Sequence, residues 1–240
     1  MNKSLITYSQ GKRNIYYPSD DKHMKCAVIR KISQGKLWEK NITEKILMDC
    51  LPNECAIDIG ANIGTHTISM MDGVYPNGMI IAFEPQLEIS NCLNKTLIEL
   101  NKIKKSKYKT GNFIISNYLV SNKNTTIEFV TDGTGRSRIP IKGTRYTKHW
   151  EKIYKKTISL DSFLKNKKIP RICLIKIDVE GHEFEVLEGA EKIIITNKPV
   201  IYLEIWKDNK DSLDKLSQWS KKYKYSIDKL TPNDYRLVSI

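Results

Sequence analysis

The sequence predicts an α/β fold in which helices cover both faces of a mostly parallel β-sheet. Short apolar runs typical of buried strands alternate with segments whose apolar residues recur at helical spacing. The runs occupy residues 55–59, 79–83, 172–179 and 200–206. Strands that are buried on both faces belong to parallel sheets, because the crossover helices cover each side. Ligands of such folds bind beyond the carboxyl ends of the strands, near the point where the strand order reverses.

The other elements follow from periodicity and turn residues, taken in chain order. Helices are expected from residue 42 up to Pro52 and at residues 65–71, 87–100, 157–165 (with a turn), 184–190 and 212–221. Further strands are expected at residues 113–120, at 125–130 as a hairpin arm, and in the final stretch 223–240. Residues 132–150 lack periodicity and are rich in Gly, Arg and aromatic residues, which indicates a long loop of functional importance.

The length and composition fit one such domain with a modest extension. The chain has 240 residues, of which 40% are hydrophobic, and this is enough for one packed core. Residues 1–40 are mixed and polar, so we expect a lead-in segment with short strands and one helix. The main domain is expected at residues 41–240.

Charge and cysteine content set limits on location and partners. The net charge of +13 attracts phosphates and acidic surfaces, but the lysines are spread along the chain, so basicity alone does not indicate a nucleic-acid binder. Five cysteines without C-x-x-C spacing disfavour a disulfide framework or a zinc site. The start of the chain lacks the apolar core of a secretion signal, and no stretch approaches the ~20 apolar residues of a membrane span. We therefore expect a soluble, cytoplasmic protein.

Two sequence features predict a nucleoside-binding site. The first is the turn Asp58-Ile-Gly60-Ala-Asn62-Ile-Gly64, which lies between a predicted strand and a predicted helix. Glycines allow a sharp turn and a close approach to a ligand, and a helix start offers free N–H groups. The second is Glu84, which ends the next apolar run, where an acid can accept hydrogen bonds from both ribose hydroxyls. The spacing of the turn does not match a dinucleotide fingerprint.

A cluster of ionisable residues follows the strand-like run at 172–179. Period-two alternation places Lys176, Asp178 and Glu180 on one side of the chain, and His182 follows directly. Charges at the end of a buried strand are costly unless they are paired or used in catalysis. The cluster therefore predicts an active site at this edge of the sheet.

These motifs resemble those of the FkbM family of S-adenosylmethionine (AdoMet)-dependent methyltransferases. The matching segments are DIGANIGTHT at 58–67, AFEP at 82–85, Asn94, TISLD at 157–161, IKIDVEGHEFEVLEGA at 175–190 and YLEI at 202–205. The resemblance implies a class I, Rossmann-like methyltransferase fold with seven strands, of which the last is antiparallel. It also implies AdoMet as the cofactor and O-methylation of a hydroxyl on a sugar, glycan or related small molecule.

The resemblance assigns roles to individual residues. The cofactor would be bound by Asp58, Gly60, Asn62, Gly64 and Glu84, with Asn117 near the adenine and His66 facing the methyl group. Catalysis would use Lys176, Asp178, Glu180 and His182. Either Asp178 or His182 would take the acceptor proton, and Lys176 would stabilise the developing alkoxide.

The acceptor is expected between the 132–150 loop and the 176–183 block. Candidate side chains for a sugar or nucleotide-linked sugar are Arg136, Arg138, Arg145, Tyr146, His149, Trp150 and Glu204. Asp178, Glu180, His182 and Glu204 are possible metal ligands, but their spacing is not diagnostic and we expect no metal. Two alternatives stay open at this point: an RNA 2′-O-methyltransferase, favoured by the positive charge, and a non-catalytic AdoMet-binding domain.

Overall fold

A computed structural model of the chain describes residues 1–102, 112–133, 135–140, 146, 149–206 and 210–240. Its strands are β1 (Asn2–Tyr8), β2 (Gly11–Tyr17), β3 (Cys55–Ile59), β4 (Met79–Phe83), β5 (Phe113–Ser116), β6 (Leu119–Val120), β7 (Thr126–Thr131), β8 (Glu151–Ile158), β9 (Ile172–Ile177), β10 (Val200–Glu204), β11 (Tyr225–Lys229) and β12 (Asp234–Ser239). Its helices are α1 (Asp21–Met24), α2 (Ala27–Ser33), α3 (Lys40–Asp49), α4 (Thr65–Gly73), α5 (Leu87–Lys102), α6 (Leu160–Leu164), α7 (Glu183–Gly189), α8 (Glu191–Asn197) and α9 (Lys210–Tyr223).

A seven-stranded sheet forms the centre of the fold. Its strand order is β11-β12-β10-β9-β3-β4-β5. The pairs β10–β9, β9–β3, β3–β4 and β4–β5 are parallel, whereas β12 is antiparallel to both β10 and β11. This arrangement confirms the predicted α/β class and the antiparallel last strand. The strand order reverses between β3 and β9, so the ends of these two strands form the ligand-binding edge.

The core lies on both faces of this sheet. All five residues of β3 and all six of β9 are buried, which explains their continuous apolar sequences. One buried cluster joins the β1–β2 hairpin and the helices α2 to α5, and the other joins the opposite face of the sheet to α6–α9. No helix among the described residues is long and apolar enough to cross a membrane.

The first 40 residues pack onto the domain. The β1–β2 hairpin lies against α5, where the Tyr16 amide donates to the Thr96 hydroxyl at 3.0 Å. The Tyr8 hydroxyl donates to the Thr65 carbonyl at the start of α4, at 2.9 Å. The segment contains two helices, α1 and α2, where one was expected. It is therefore positioned to contribute to the ligand-binding edge.

The chain also departs from the predicted elements after β5, where one expected strand divides, and at β8 and α8, which were not predicted. The strand expected at residues 113–120 divides into β5 and β6, because the Asn117 side chain donates to the Glu84 carbonyl at 2.8 Å and turns the chain out of the central sheet. Strand β6 then joins β8 and β7 in a small separate sheet. Strand β8 lies in the middle of this small sheet, and it was not predicted because its lysine-rich sequence lacks a clear alternation of apolar and polar residues. The described residues of the 132–150 stretch connect β7 to β8.

Candidate active site

A cavity of about 440 Å³ opens at the carboxyl ends of the central strands. Its size lies within the range of ~300–1,000 Å³ that is usual for ligand pockets. The ends of β3, β4, β9 and β10 contribute Gly60, Glu84, Asp178 and Glu204 to the wall. Gly60 and Glu204, which are 144 positions apart in the sequence, thus lie in one cavity. This is expected for a site at the switch in strand order.

The glycine turn is shaped by the packing of the chain itself. Gly60 has a φ of +84°, and a Cβ atom there would lie 1.8 Å from the carbonyl oxygen of Asp178. Gly64 has a φ of +91°, and its Cβ would lie 2.4 Å from Leu93 of α5. The close packing of neighbouring segments therefore requires glycine at both positions, whether or not a ligand also approaches the turn. Asn62 takes a φ of +50° between them and lines the cavity.

Asp58 lies beneath this turn and does not line the cavity. One carboxylate oxygen accepts a hydrogen bond from the Thr67 hydroxyl of α4 at 2.6 Å. The other, Oδ1, is buried without a hydrogen-bond partner among the described residues. Asp58 therefore ties the end of β3 to the first turn of α4 and adds negative charge below the site.

Glu84 is a buried carboxyl group in the cavity wall. Its Oε2 accepts from the Asn62 amide at 2.9 Å, and its Oε1 accepts from the Gln86 amide at 2.9 Å. Burial raises the pKa of Glu84 to about 7 against the effect of these bonds. Oε1 also accepts from the Gln86 side-chain amide at 3.4 Å, so Oε2 is the oxygen that remains able to accept a ribose hydroxyl without loss of a contact.

Lys176, Asp178 and Glu204 form a charged triad at the ends of β9 and β10. The Lys176 ammonium lies 2.9 Å from Asp178 Oδ2. Burial works against the charge on both groups, but their mutual attraction outweighs it, raising the pKa of Lys176 and lowering that of Asp178. Burial and the charge of Asp178 raise the pKa of Glu204 to about 10, so its carboxyl group is protonated at neutral pH and hydrogen-bonds to Asp178.

The β9–β10 register explains this triad. Because Ile177 pairs with Leu203, Asp178 and Glu204 stand side by side one residue further on. Because Glu204 holds a proton and Lys176 carries a positive charge, Asp178 is the carboxyl group of the triad that is ionised. The group therefore presents one carboxylate, stabilised from two sides, to the cavity.

Glu180 lines the cavity, and Arg138, which is not one of the lining residues, forms a second, looser pair with it. Arg138 Nη1 lies 3.7 Å from Glu180 Oε2, and its guanidinium carbon lies 5.6 Å and 5.9 Å from the ring centroids of Trp150 and Trp206. Arg138 Nε and Glu180 Oε2 are buried without hydrogen-bond partners in the described part of the chain. Burial raises the pKa of Glu180 to about 8, and its φ of +61° holds it in the left-handed region. A guanidinium between two aromatic rings with unused donor capacity suits an anionic ligand.

His182 lines the cavity but is engaged through both ring nitrogens. Nε2 lies 2.9 Å from the Ser121 hydroxyl, and Nδ1 lies 3.4 Å from Glu185 Oε2. Burial lowers the pKa of His182, so the ring is neutral at neutral pH. The next residue, Glu183, accepts from the Gly181 amide at 2.8 Å.

Other expected site residues lie around this centre. His66 is buried in α4 and contacts Glu39 of the cavity wall at 3.1 Å. Asn117 bonds to the backbone, whereas the next residue, Tyr118, lines the wall. Arg136 lines the rim and pairs with Asp132 at 2.9 Å. Tyr146 lies edge-on to Trp150, with 5.3 Å between ring centroids, and Arg145 lies outside the described residues.

Sequence reasoning did not identify the wall that comes from the N-terminal segment. Cys26, Ala27, Trp38 and Glu39 all line the cavity. Gly135, from the loop after β7, lies between Cys26 and Asn62. The glycine turn is therefore covered both by this loop and by the N-terminal segment. No periodicity or motif marked these positions, because their role depends on tertiary packing.

The residues present fit AdoMet. The cavity offers an apolar end at Phe83, Tyr118 and Leu119, a carboxyl group at Glu84 that could accept from a ribose, and an acidic end at Asp178. This sequence of surfaces matches a molecule that carries an adenine, a ribose and a cationic sulfonium in that order.

Comparisons with known proteins agree with the motifs. The family model described as the methyltransferase FkbM domain matches residues 58–227. Hexuronic acid methyltransferase AglP of Haloferax volcanii is 26% identical over 181 residues, which cover 75% of this chain and 68% of that protein.

Solved structures show the same fold. Methyltransferase FkbM from Methylobacillus flagellatus has a TM-score of 0.53 at 16% identity; the match covers 91% of this chain and 55% of the other, so this chain spans about half of its length. The 16S rRNA methyltransferase RsmC of T. thermophilus has a TM-score of 0.51 at 8% identity, over 99% of this chain and 50% of the other. Because the family model matches more than half of the sequence, this chain belongs to the FkbM family of AdoMet-dependent methyltransferases.

Proposed function

We propose that the protein transfers a methyl group from AdoMet to a hydroxyl of an acidic sugar or glycan, with Asp178 as the general base. The observation that carries this proposal is the triad at the ends of β9 and β10, in which Lys176 and a protonated Glu204 keep Asp178 ionised at the cavity wall. Supporting the choice of acceptor, a relative of this chain is named a hexuronic acid methyltransferase.

The chemistry requires a base beside the acceptor oxygen. AdoMet, when bound, supplies an electrophilic methyl group, which leaves sulfur for the acceptor oxygen. Asp178 takes the hydroxyl proton as the oxygen–carbon bond forms, and such general-base assistance contributes typically ~10²–10⁴-fold to a rate. Lys176 remains protonated and balances the charge that passes from Asp178 to the acceptor oxygen.

Asp178 is a better candidate for the base than His182. The ring nitrogens of His182 already face Ser121 and Glu185, so proton acceptance would require one contact to be given up. Asp178 accepts from Lys176 and from the protonated Glu204, but a carboxylate has further lone pairs, and the residue lies in the cavity wall next to the Gly60 turn. We therefore assign His182 to shaping the wall.

Arg138 and its tryptophan neighbours support an acidic acceptor. The faces of Trp150 and Trp206 suit the apolar side of a sugar ring, and the guanidinium between them suits a carboxylate. The net charge of +13 would also draw an anionic acceptor towards the protein.

The proposal is tested by methyl transfer from tritiated AdoMet to three acceptors: an oligosaccharide with a terminal hexuronic acid, the matching neutral oligosaccharide, and RNA. We expect transfer to the acidic oligosaccharide, and a loss of at least ~10²-fold in kcat for Asp178→Asn with AdoMet binding retained. Asp214→Asn, an exposed acid on α9, is the matched control and should keep full activity.

The outcomes separate the competing functions. Transfer to RNA alone, with a steep dependence on salt, would replace the sugar assignment by an RNA 2′-O-methyltransferase. Full turnover of the acidic sugar by Asp178→Asn would remove the general-base role, and it would point to the sugar carboxylate as the methylated group because a carboxylate needs no deprotonation.

A further inference from the structure

The Glu39 side chain belongs to a part of the cavity that the family domain does not include. The matched domain begins at residue 58, whereas Glu39 precedes α3 and lines the cavity together with Trp38. Its φ of +39° places it in the left-handed region, which is uncommon for a residue with a side chain. Such strained positions concentrate at ligand sites when the surrounding structure holds them in place.

His66 holds the Glu39 carboxylate. The Thr43 hydroxyl donates its proton to the Trp38 carbonyl at 3.1 Å, so it accepts from His66 Nδ1 at 3.2 Å. The other ring nitrogen, Nε2, lies 3.1 Å from Glu39 Oε2. This contact uses Oε2 and leaves Glu39 Oε1 as a further acceptor.

The order of surfaces along the cavity identifies what this carboxylate faces. Tyr118 and Leu119 follow β5, Glu84 follows β4, and Asp178 follows β9, so the adenine, ribose and sulfonium of the cofactor run across the sheet in that direction. Glu39 adds to the effect of burial in raising the pKa of Asp234 on β12, and His66 adds to the effect of Lys176 in lowering the pKa of Asp178 against burial. The pair therefore lies on the β9 side of the cavity, beyond both the ribose carboxyl group and Asp178. The part of AdoMet that remains for this end is the amino-acid tail, which carries an ammonium group.

We propose that Glu39 binds the α-ammonium group of AdoMet and that His66 is the positioning residue for its carboxylate. A charged hydrogen bond between a carboxylate and an ammonium group is among the stronger polar contacts in proteins. The N-terminal segment thereby completes the cofactor site from outside the family domain. His66, expected from the sequence to face the methyl group, acts one step away through Glu39.

The test is calorimetric binding of S-adenosylhomocysteine, 5′-methylthioadenosine and AdoMet by the full chain at neutral pH, without an acceptor. S-adenosylhomocysteine carries the ammonium group but no sulfonium charge, whereas 5′-methylthioadenosine lacks the amino-acid tail. We expect Glu39→Gln to lower the affinity for S-adenosylhomocysteine about tenfold, which is about 1.4 kcal/mol. The affinity for methylthioadenosine should stay within about twofold of the wild-type value. Glu44→Gln, on an exposed position of α3, should leave both ligands unchanged.

Each other outcome overturns the assignment. Equal weakening of both ligands would mean that Glu39 maintains the shape of the cavity, and no weakening would mean that it does not touch the cofactor. Weakening of AdoMet without weakening of S-adenosylhomocysteine would place the carboxylate at the sulfonium instead. His66→Gln should show the same difference between the ligands at about threefold, and wild-type binding of both by this variant would remove His66 from the proposal.

Discussion

Replacing Lys176 by Met should destabilise the protein through the loss of one buried ion pair. The two charges lie 2.9 Å apart, and at an effective dielectric constant of about 20 their attraction is about 6 kcal/mol. Water reduces this value, because the Asp178 side chain is 30% exposed although that of Lys176 is only 9% exposed. We therefore expect a coupling free energy of about 2–4 kcal/mol from a double-mutant cycle with Asp178→Asn.

The pH dependence of this coupling follows from the two pKa shifts. The lowered pKa of Asp178 gives stability that is present above its unfolded value near 3.9 and is lost as the pH falls through the folded value. The raised pKa of Lys176 gives stability that is present below its unfolded value near 10.4 and is lost as the pH rises through the folded value. The coupling should therefore be full at neutral pH and decline in acid.

Urea unfolding of wild type, Lys176→Met, Asp178→Asn and the double variant measures the coupling free energy. The surface pair Lys40–Glu44 is the matched control. That pair spans 3.8 Å on the surface of α3, and such helix pairs contribute only ~0.3–0.5 kcal/mol. A coupling for Lys176 and Asp178 no larger than that of the control would refute the charged triad on which the proposed base depends.

Three further predictions concern the rest of the site. The pKa of Glu84 is about 7, and ribose hydroxyls bond best to its ionised form. The affinity for S-adenosylhomocysteine should therefore fall by up to ~10-fold per pH unit below neutrality. Calorimetry should show this slope in wild type and no such slope in Glu84→Gln. Gly60→Ala should cost about 3 kcal/mol or more in urea unfolding, since its Cβ would collide with Asp178, whereas a cost below about 1 kcal/mol would contradict the packing of the turn. Arg138→Gln should lower kcat/KM for an acidic sugar by about 10–100-fold and spare the sugar's neutral amide; equal losses for both would exclude carboxylate recognition.

The sequence was informative wherever a buried strand ended in polar residues. Residues 55–59 and 79–83 matched β3 and β4 to the residue, because an apolar run stops where the chain leaves the sheet. Asp58, Glu84 and Asp178 could be grouped for the same reason, since parallel strands end at one edge. Their roles as ligands or base remain predictions for the experiments above.

Details that depend on contacts between distant segments could not be read from the sequence. The proton that Glu204 holds for Asp178 depends on the β9–β10 register, which aligns the two residues in space. Asn117 was predicted near the adenine, but the next residue, Tyr118, lines the cavity wall. The Asn117 side chain instead bonds to the Glu84 carbonyl. The wall formed by Trp38 and Glu39 has no local signal at all, since it results from the docking of the first 40 residues.

The charge of the site and the charge of the whole chain act on different ligands. Glu84 and Asp178 line the cavity, and Asp58 lies beneath it beside the buried Lys176, so the acidic groups suit the positive sulfonium of the cofactor. The chain as a whole carries a charge of +13, which would repel that cofactor at long range but attract an acidic sugar. These two effects operate at different distances, because contacts inside a cavity are weakly screened whereas surface charges are screened beyond ~8–10 Å. Raising the salt concentration should therefore increase KM for an acidic acceptor much more than KM for AdoMet, and equal sensitivity of the two would contradict an anionic acceptor.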